Sequence, residues 1–392
     1  MMRTSRQKRQ AGSRTFKRVA KLEDCHELQR PVVYVNTDIV WERGDVGYWN
    51  PRWVELEPIL RQCPHPVQPL GDFIPETVQR NSVSVPGITY GQVGGREYPP
   101  SGTSIQYQNG SVKLRLPGAR APVEGVLYLQ VKNLRRTGID PYETPIEKRF
   151  IVAGSHNDPP RSRIKPGDIL IVNSGIGSLG RCSILPAKFP YKLINISQHI
   201  TRIVLKGLSP EWCCVYLQSE LGAHQIVRLA SGVSGQIEIG FDELKSIEVV
   251  VPPKEQQQII AQGVDQMHDY HLRALQAKFQ GDKSGYMRYR KIATGILEIL
   301  IWQAEQMVRS DSFIPIPVFP DGVEKALTHL LEDECERLGE MVEQLDFRPQ
   351  TIELQSRPLG IPLERSDEVT SEVERLVRWI RVLGRYRDGE TR

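Results

Sequence analysis

The chain has 392 residues, with 51 Lys/Arg against 47 Asp/Glu for a net charge of +4, and is 39% hydrophobic and 25% charged. That length exceeds one ordinary core and predicts more than one domain; the composition is that of a soluble globular protein, and so small a net charge requires any polyanion-binding surface to be local. The six cysteines (Cys25, Cys63, Cys182, Cys213, Cys214, Cys335) include no Cys-x-x-Cys pair, which argues against a zinc knuckle and for unbridged thiols in a reducing cytoplasm, and without a signal peptide or an apolar run of about 18 residues no membrane is expected.

Residues 1–30 hold nine Lys/Arg and three acids with few apolar positions, the pattern of a basic flexible arm. Val32 to Val35 reads as a short strand, and the Trp49 and Trp53 segment leads into an amphipathic helix at 54–62 with Leu56, Ile59 and Leu60 on one face. Residues 63–125 are rich in proline and glycine; an extended segment at 87–93 carries Gln92. The aliphatics of 126–132 recur near period two, a strand that ends in Gln130 and Lys132, with Arg135 just beyond. Asn157-Asp-Pro-Pro160 is similar to a methyltransferase loop, but Arg161 stands where that loop needs an aromatic ring, so it reads as a turn.

The segment 161–206 is central. It holds eight Lys/Arg and one acid, Asp168, and three apolar runs around Ile169, Cys182 and Ile194. Gly175-x-Gly177-x-x-Gly180 spells a dinucleotide fingerprint, which needs a helix opening at the last glycine and an acid about 20 residues on. Cys182-Ser-Ile-Leu-Pro186 is β-like and no acid stands near 195–199, so the glycines read as a hairpin turn. Arg161, Arg163, Lys165 and Arg181 are candidate phosphate contacts, and Ser174, Ser178, Gln198 and His199 candidate readers of base edges. Short helices are expected at 212–221 and 223–229, a polar loop with Ser231, Ser234 and Gln236, and strands at 236–240 and 246–251.

Pro252-Pro253 marks a change of architecture, since proline suits the first turn of a helix and Glu255 favours its positive end. Ile260, Val264, Met267, His271, Leu275 and Phe279 form one stripe on a helix of about 26 residues and roughly 39 Å. Gly281 to Gly285 breaks it, and a second helix at 287–309 carries Ile296 and Leu300, so 253–310 reads as an antiparallel helical hairpin. Further helices are expected at 323–345, within a segment of nine acids and two bases at 321–347, and at 369–386.

From about Tyr48 to Gln276 the order of motifs resembles the target-recognition domain and spacer helix of type I restriction–modification specificity (S) subunits. The matching pieces are Leu70-Gly-Asp-Phe-Ile74, the strand at 126–134 with Thr137-Gly-Ile-Asp140, Lys165-Pro-Gly-Asp-Ile-Leu170 with Gly177 to Arg181, Gln218-Ser-Glu-Leu-Gly222, Ser231 to Gln236, and 244–260. Only one such domain is found where a full S subunit resembles two. The resemblance implies an α+β chain: a basic arm at 1–30, a β-rich DNA target-recognition domain at 31–252, a helical spacer hairpin at 253–310 and a helical partner-binding region at 311–392. It further implies a non-catalytic, cytoplasmic subunit of a phage-defence methylation system that reads double-stranded DNA with Gln92, Gln130, Lys132, Arg135 and the residues named above. The implied partners are a DNA adenine methyltransferase subunit, a restriction/translocase subunit and a second copy of the chain, taken up through Ile260, Val264, Met267, His271, Leu275, Ile296 and Leu300. No cofactor is expected. Two rivals stand beside this reading: an enzyme, for which His268-x-x-His271 is a candidate metal pair lacking a third ligand, and a protein-only adaptor. Salt-sensitive DNA binding separates them.

Overall fold

Aliphatic runs bounded by glycine or proline set the strands of the chain, and two long apolar stripes set its helices. The computed structural model describes residues 51–80, 82–91, 98–175, 177–233, 236–315, 317 and 318; the arm at 1–30, the strand at 32–35, Gln92, Ser234 and the helices expected at 323–345 and 369–386 lie outside the described residues. The fold is α+β, strand-rich first and helical afterwards.

Helix α1 (Pro51–Arg61) precedes β1 (Val67–Pro69), β2 (Thr77–Arg80), β3 (Val83–Pro86) and β4 (Ile88–Tyr90). Next come β5 (Ser104–Gln108), β6 (Ser111–Arg115), β7 (Val123–Leu129), the small pair β8 (Leu134–Arg135) and β9 (Gly138–Ile139), and β10 (Phe150–Val152). Then follow β11 (Ile169–Val172), β12 (Cys182–Ile184), β13 (Ile194–Ile196) and β14 (Ile200–Ile203). Two short helices, α2 (Pro210–Gln218) and α3 (Glu220–Leu229), lead to the hairpin of β15 (Ser231–Val233) and β16 (Gln236–Glu238), to α4 (Phe241–Ser246) and to β17 (Glu248–Val250). The long helices are α5 (Lys254–Gln280) and α6 (Lys283–Arg309).

Two sheets carry the strand-rich part. An antiparallel sheet has the order β12-β11-β14-β4, and a second has the order β10-β7-β6-β5 with β13 running parallel to β7. Successive side chains of a strand point to opposite faces, and β11 uses both. Ile169 and Ile171 enter one core with Trp212 of α2 and the long helices; Leu170 and Val172 enter another with Leu127, Leu129 and Phe150 of the second sheet. All four are fully buried, which is why the run is continuously apolar rather than alternating. At about 1.5–3 kcal/mol per buried aliphatic side chain, β11 is the seam that joins the two layers.

Helix α2 lies at the centre of the helical core. Ser209 caps it by accepting from the Trp212 amide, and Pro210 occupies its first turn. Trp212 Nε1 donates to Val250 O at 2.8 Å and Tyr216 Oη to Glu248 O at 2.9 Å, so both buried aromatics satisfy their polar ends on β17. The chain breaks at Ser219, whose side chain accepts from Gly222 N and starts α3.

The helical hairpin closes on itself and on the strand-rich part. Gly281, left-handed at φ 76°, ends α5, and Asp282 accepts from Gly285 N to begin α6 four residues before the expected start. Gly263 lets the helices approach: a Cβ there would lie 2.5 Å from Leu300 Cδ2. Ile260, Val264 and Met267 share one core with Ile296, Leu300 and Trp212. This corrects the sequence reading of the stripe. Ile260, Val264, Met267, His271, Leu275, Ile296 and Leu300, expected to receive a partner subunit, are each 7% exposed or less. The chain itself covers these seven residues, and only Phe279, the last of the α5 stripe, stays exposed at 73%.

His271 ties α5 to the β8–β9 pair. Its Nε2 lies 3.1 Å from Ile139 O, which only accepts, so Nε2 carries the proton and Nδ1 accepts from Thr137 Oγ1 at 3.2 Å. Gly138 makes room with φ 153°; a Cβ there would lie 2.6 Å from His271 Cδ2. Lys278, in the last turn of α5, bonds Asp140 at 2.8 Å and Glu143 at 2.7 Å. Burial works against its charge, but these two carboxylates outweigh it and raise its pKa.

Burial, and next the neighbouring His271, push the His268 imidazole down to about 3; burial also lowers His271. Both rings are therefore neutral when folded and take up protons when unfolded below the ordinary value of 6.5. Stability is full above pH 6.5 and falls as pH drops toward 3, by on the order of 1 kcal/mol per pH unit for His268; His271 acts in the same direction. Urea midpoints at pH 7 and pH 5 check this: His268→Leu is expected to flatten the decline, and an equally steep decline in that variant counts against the assignment.

Candidate nucleic-acid interface

Strand register brings the ends of the two sheets to one rim. In the first sheet Val172 faces Ile200 and Thr201 faces Tyr90, so Asn173, His199 and Gly91 emerge together. In the second, Ile196 runs beside Leu129, and Ser197 N donates to Leu129 O at 2.9 Å, so Gln130 and Gln198 leave at the same end. Gly91 seals the two ends: a Cβ there would lie 1.9 Å from Ile196 O. The β15–β16 hairpin closes the third side. Ser174 bridges to Glu238, Gly175 N donates to Ile237 O at 3.0 Å, and Ile239 N donates to Asn173 O at 2.9 Å.

The glycine run forms the β11–β12 connection, with positive φ at Gly175, Gly177 and Gly180; no helix opens after it. Its polar residues are held by one another. Ser178 Oγ donates to Ser174 O and Gly175 O, both at 3.2 Å. Asn173 Nδ2 donates to Gln198 O and Thr201 Oγ1, both at 3.1 Å. His199 Nδ1 lies 2.7 Å from Ser174 Oγ, and its Nε2 lies 3.1 Å from Gln198 Nε2. The amide nitrogen only donates, so His199 Nε2 accepts and Nδ1–H donates to Ser174 Oγ. The Ser174 hydroxyl hydrogen is then left to point elsewhere. This fixed set of amide, imidazole and hydroxyl groups can exchange hydrogen bonds with base edges.

Cations flank the rim. Arg181 is half-buried beside the glycine turn, its guanidinium donating to Leu134 O and Gly177 O, both at 3.3 Å. Burial, and then the nearby Arg135, lower its pKa. Arg135 pairs with Glu143 at 3.0 Å. Burial raises the Glu143 carboxyl, but Lys278 and Arg135 prevail and its pKa is lowered. Lys132 is exposed on the turn after β7. Gln130 serves that turn: its amide nitrogen donates to Tyr98 Oη at 3.2 Å, and its backbone N–H to Asn133 Oδ1 at 2.8 Å.

Other sequence candidates sit elsewhere. Lys165 is exposed but precedes β11, at the strand's opposite end from Ser174. Arg161 is exposed on the turn at 160–162, near β3 and β4. Arg163 is a correction: its guanidinium grips Asp158, whose side chain is 1% exposed, so it holds the fold rather than a phosphate. Arg202, counted in the basic excess, is fully buried and donates to Arg163 O at 3.1 Å and to Pro86 O. Burial pushes its pKa down to about 10. Ser231 is exposed on β15; Gln236 begins β16. Sequence reasoning missed Tyr90; Asn173, polar and directly after an apolar strand, was legible as a residue the core does not take.

Residues 142–278 match the family model described as "Type I restriction modification DNA specificity domain". That segment, about a third of the chain, is similar to a type I specificity domain. The matched segment includes the glycine turn, Gln198, His199, the β15–β16 hairpin and nearly all of α5, while Gln130 and Tyr90 precede it. Among solved structures, the chain is similar to the S subunit of a type I restriction–modification system from M. genitalium, with 11% identity and a TM-score of 0.32 over 60% of this chain and 46% of that one. It is also similar to the HsdS subunit from Thermoanaerobacter tengcongensis, with 17% identity and a TM-score of 0.28 over 70% of this chain and 54% of that one. The aligned part thus spans about half the length of these S subunits. No curated protein matches the chain. No helix among the described residues is long and apolar enough to cross a membrane, and they hold no metal-binding cluster of His, Cys, Asp and Glu.

The relay through His199 is directly measurable. Nitrogen NMR of the labelled chain is expected to show Nδ1 protonated and Nε2 bare at pH 8. A proton on Nε2 instead would mean that Ser174 is not held as described.

Proposed function

We propose that the chain is the DNA-recognition subunit of a type I restriction–modification or related methylation complex. It reads double-stranded DNA and positions a separate adenine methyltransferase, while making and breaking no covalent bond itself. The observation that carries the reading is the convergence, inside the segment similar to a type I specificity domain, of Ser174, Ser178, Gln198 and His199 on one rim beside Arg181 and Arg135. Arg135, Arg181 and Lys132 neutralise phosphates and set position; the polar groups of the rim select bases. Arg163 takes no part in contact.

The partner side follows from what the helices leave outside. The stripe is spent within the chain, but Gln258, Gln262, Asp265, Arg273 and Gln276 recur every three or four residues or a multiple on the exposed side of α5. This polar face suits a methyltransferase subunit, and beyond it a restriction/translocase subunit or a second copy of the chain. A two-fold pair would present two recognition domains to a split, pseudo-palindromic target.

Duplex affinity is expected to fall as salt rises. Arg181→Gln should weaken binding and reduce the slope of log affinity against log salt by about one. Arg163→Gln should lower the melting temperature and leave that slope unchanged. Equal slopes for Arg181→Gln and the unmodified chain would remove Arg181 from the contact, and affinity that ignores salt would overturn the DNA reading.

For the partner face, Gln262→Glu with Arg273→Glu should abolish co-purification with the cognate methyltransferase without lowering the melting temperature. Retained co-purification would place that contact elsewhere.

A further inference from the structure

Beside the rim lies a cavity of about 700 Å³, within the range of about 300–1,000 Å³ typical of small-molecule clefts. Its aromatic wall is Tyr90 and Phe241, whose ring centroids are 5.2 Å apart with planes tilted by 33°. Arg161 and Lys245 bring two cations to the lining, Glu76 one carboxylate and Thr89 one hydroxyl. Tyr90 is 38% exposed, so its ring is not consumed by the core.

The position of this wall is set by the rim itself. Tyr90 pairs with Thr201, two residues after His199. Phe241 follows three residues after Glu238, which bridges to Ser174. The aromatic pair therefore borders the polar groups that face a base edge. A planar ring with an attached anion matches the lining: the ring stacks on Tyr90, its exocyclic amine donates to Glu76, and a phosphate lies toward Arg161 and Lys245. Lys245 also lies 3.9 Å from Asp242, a competing acid at the cleft's edge. A stacked base inside a duplex cannot reach such a wall, whereas an unstacked one can, because aromatic stacking takes any base by its π-face.

The geometry points to this cleft as a subsite for one unstacked nucleotide of the DNA held at the rim, an assignment that rests on the DNA-recognition reading above. Tyr90 and Phe241 hold the base, and Arg161 and Lys245 its phosphate.

The probes are 2-aminopurine deoxyriboside 5′-monophosphate and a single-stranded oligonucleotide carrying one internal 2-aminopurine, each titrated with the full chain. Fluorescence is expected to be quenched saturably with both, and at lower concentration with the oligonucleotide, because the rim takes its neighbours. Deoxyadenosine monophosphate should displace the monophosphate probe at least about tenfold better than deoxyribose 5-phosphate or deoxyadenosine. Tyr90→Leu and Phe241→Leu should each weaken quenching roughly tenfold, and Arg161→Gln with Lys245→Gln should bring the monophosphate down to the nucleoside. A circular dichroism melt confirms that each variant folds. Absent quenching, equal competition by deoxyribose 5-phosphate, tighter binding of the free nucleotide than of the oligonucleotide, or unchanged quenching in both aromatic variants would each overturn the subsite. Duplex affinity of the unmodified chain is measured separately: if it fails, the recognition reading falls, whereas intact duplex binding without quenching sinks the subsite alone.

Discussion

The structure depends on the burial of β11 on both faces. Its four side chains divide between the helical core, through Ile169 and Ile171, and the core of the second sheet, through Leu170 and Val172. A polar residue at any of the four would leave an unpaired group in a dry interior, at a cost of about 1–3 kcal/mol or more. Because β11 is fixed from both sides, the turn that follows it is fixed as well. Asn173, Ser174 and the glycine run then meet His199 and the β15–β16 hairpin at set distances. Recognition groups gain specificity when they are held before binding, since less freedom is lost on contact.

The same logic ties the long helices to the recognition part. His271 spans Thr137 and Ile139 on one small pair of strands, Lys278 holds Asp140 and Glu143 just after it, and Arg136 pairs with Glu298 of α6 at 2.9 Å. The other strand of that pair receives Arg181 through Leu134 O. A displacement of α5 would thus be felt within two residues of a cation at the rim. This chain of contacts gives the helices a defined orientation relative to the rim.

Much of this was legible in the residues themselves. The continuous apolar run of Ile169 to Val172 marked a buried strand, the three glycines after it marked a turn with positive φ, and the missing helix and acid excluded a dinucleotide site. The α+β class followed from the change of period at Pro252-Pro253. What sequence spacing could not supply was the partner of each side chain. The α5 stripe reads identically whether it meets another subunit or α6 and Trp212, and only tertiary packing decides. Likewise, counting charges treats Arg163 and Arg202 as surface cations; Asp158 and the carbonyls of Arg163 and Pro86 draw them inward. Tyr90 was passed over because a single aromatic in an extended segment carries no signal until Phe241, 151 residues away in sequence, is seen against it.

The central claim is that one rim, built by the ends of both sheets, meets DNA. Amide hydrogen exchange of the full chain with and without duplex DNA tests it most directly. Protection is expected at 173–181, 197–199 and 231–238, with none on the outer side of α5. Protection confined to the long helices, with these three segments exchanging equally in both states, would contradict the account.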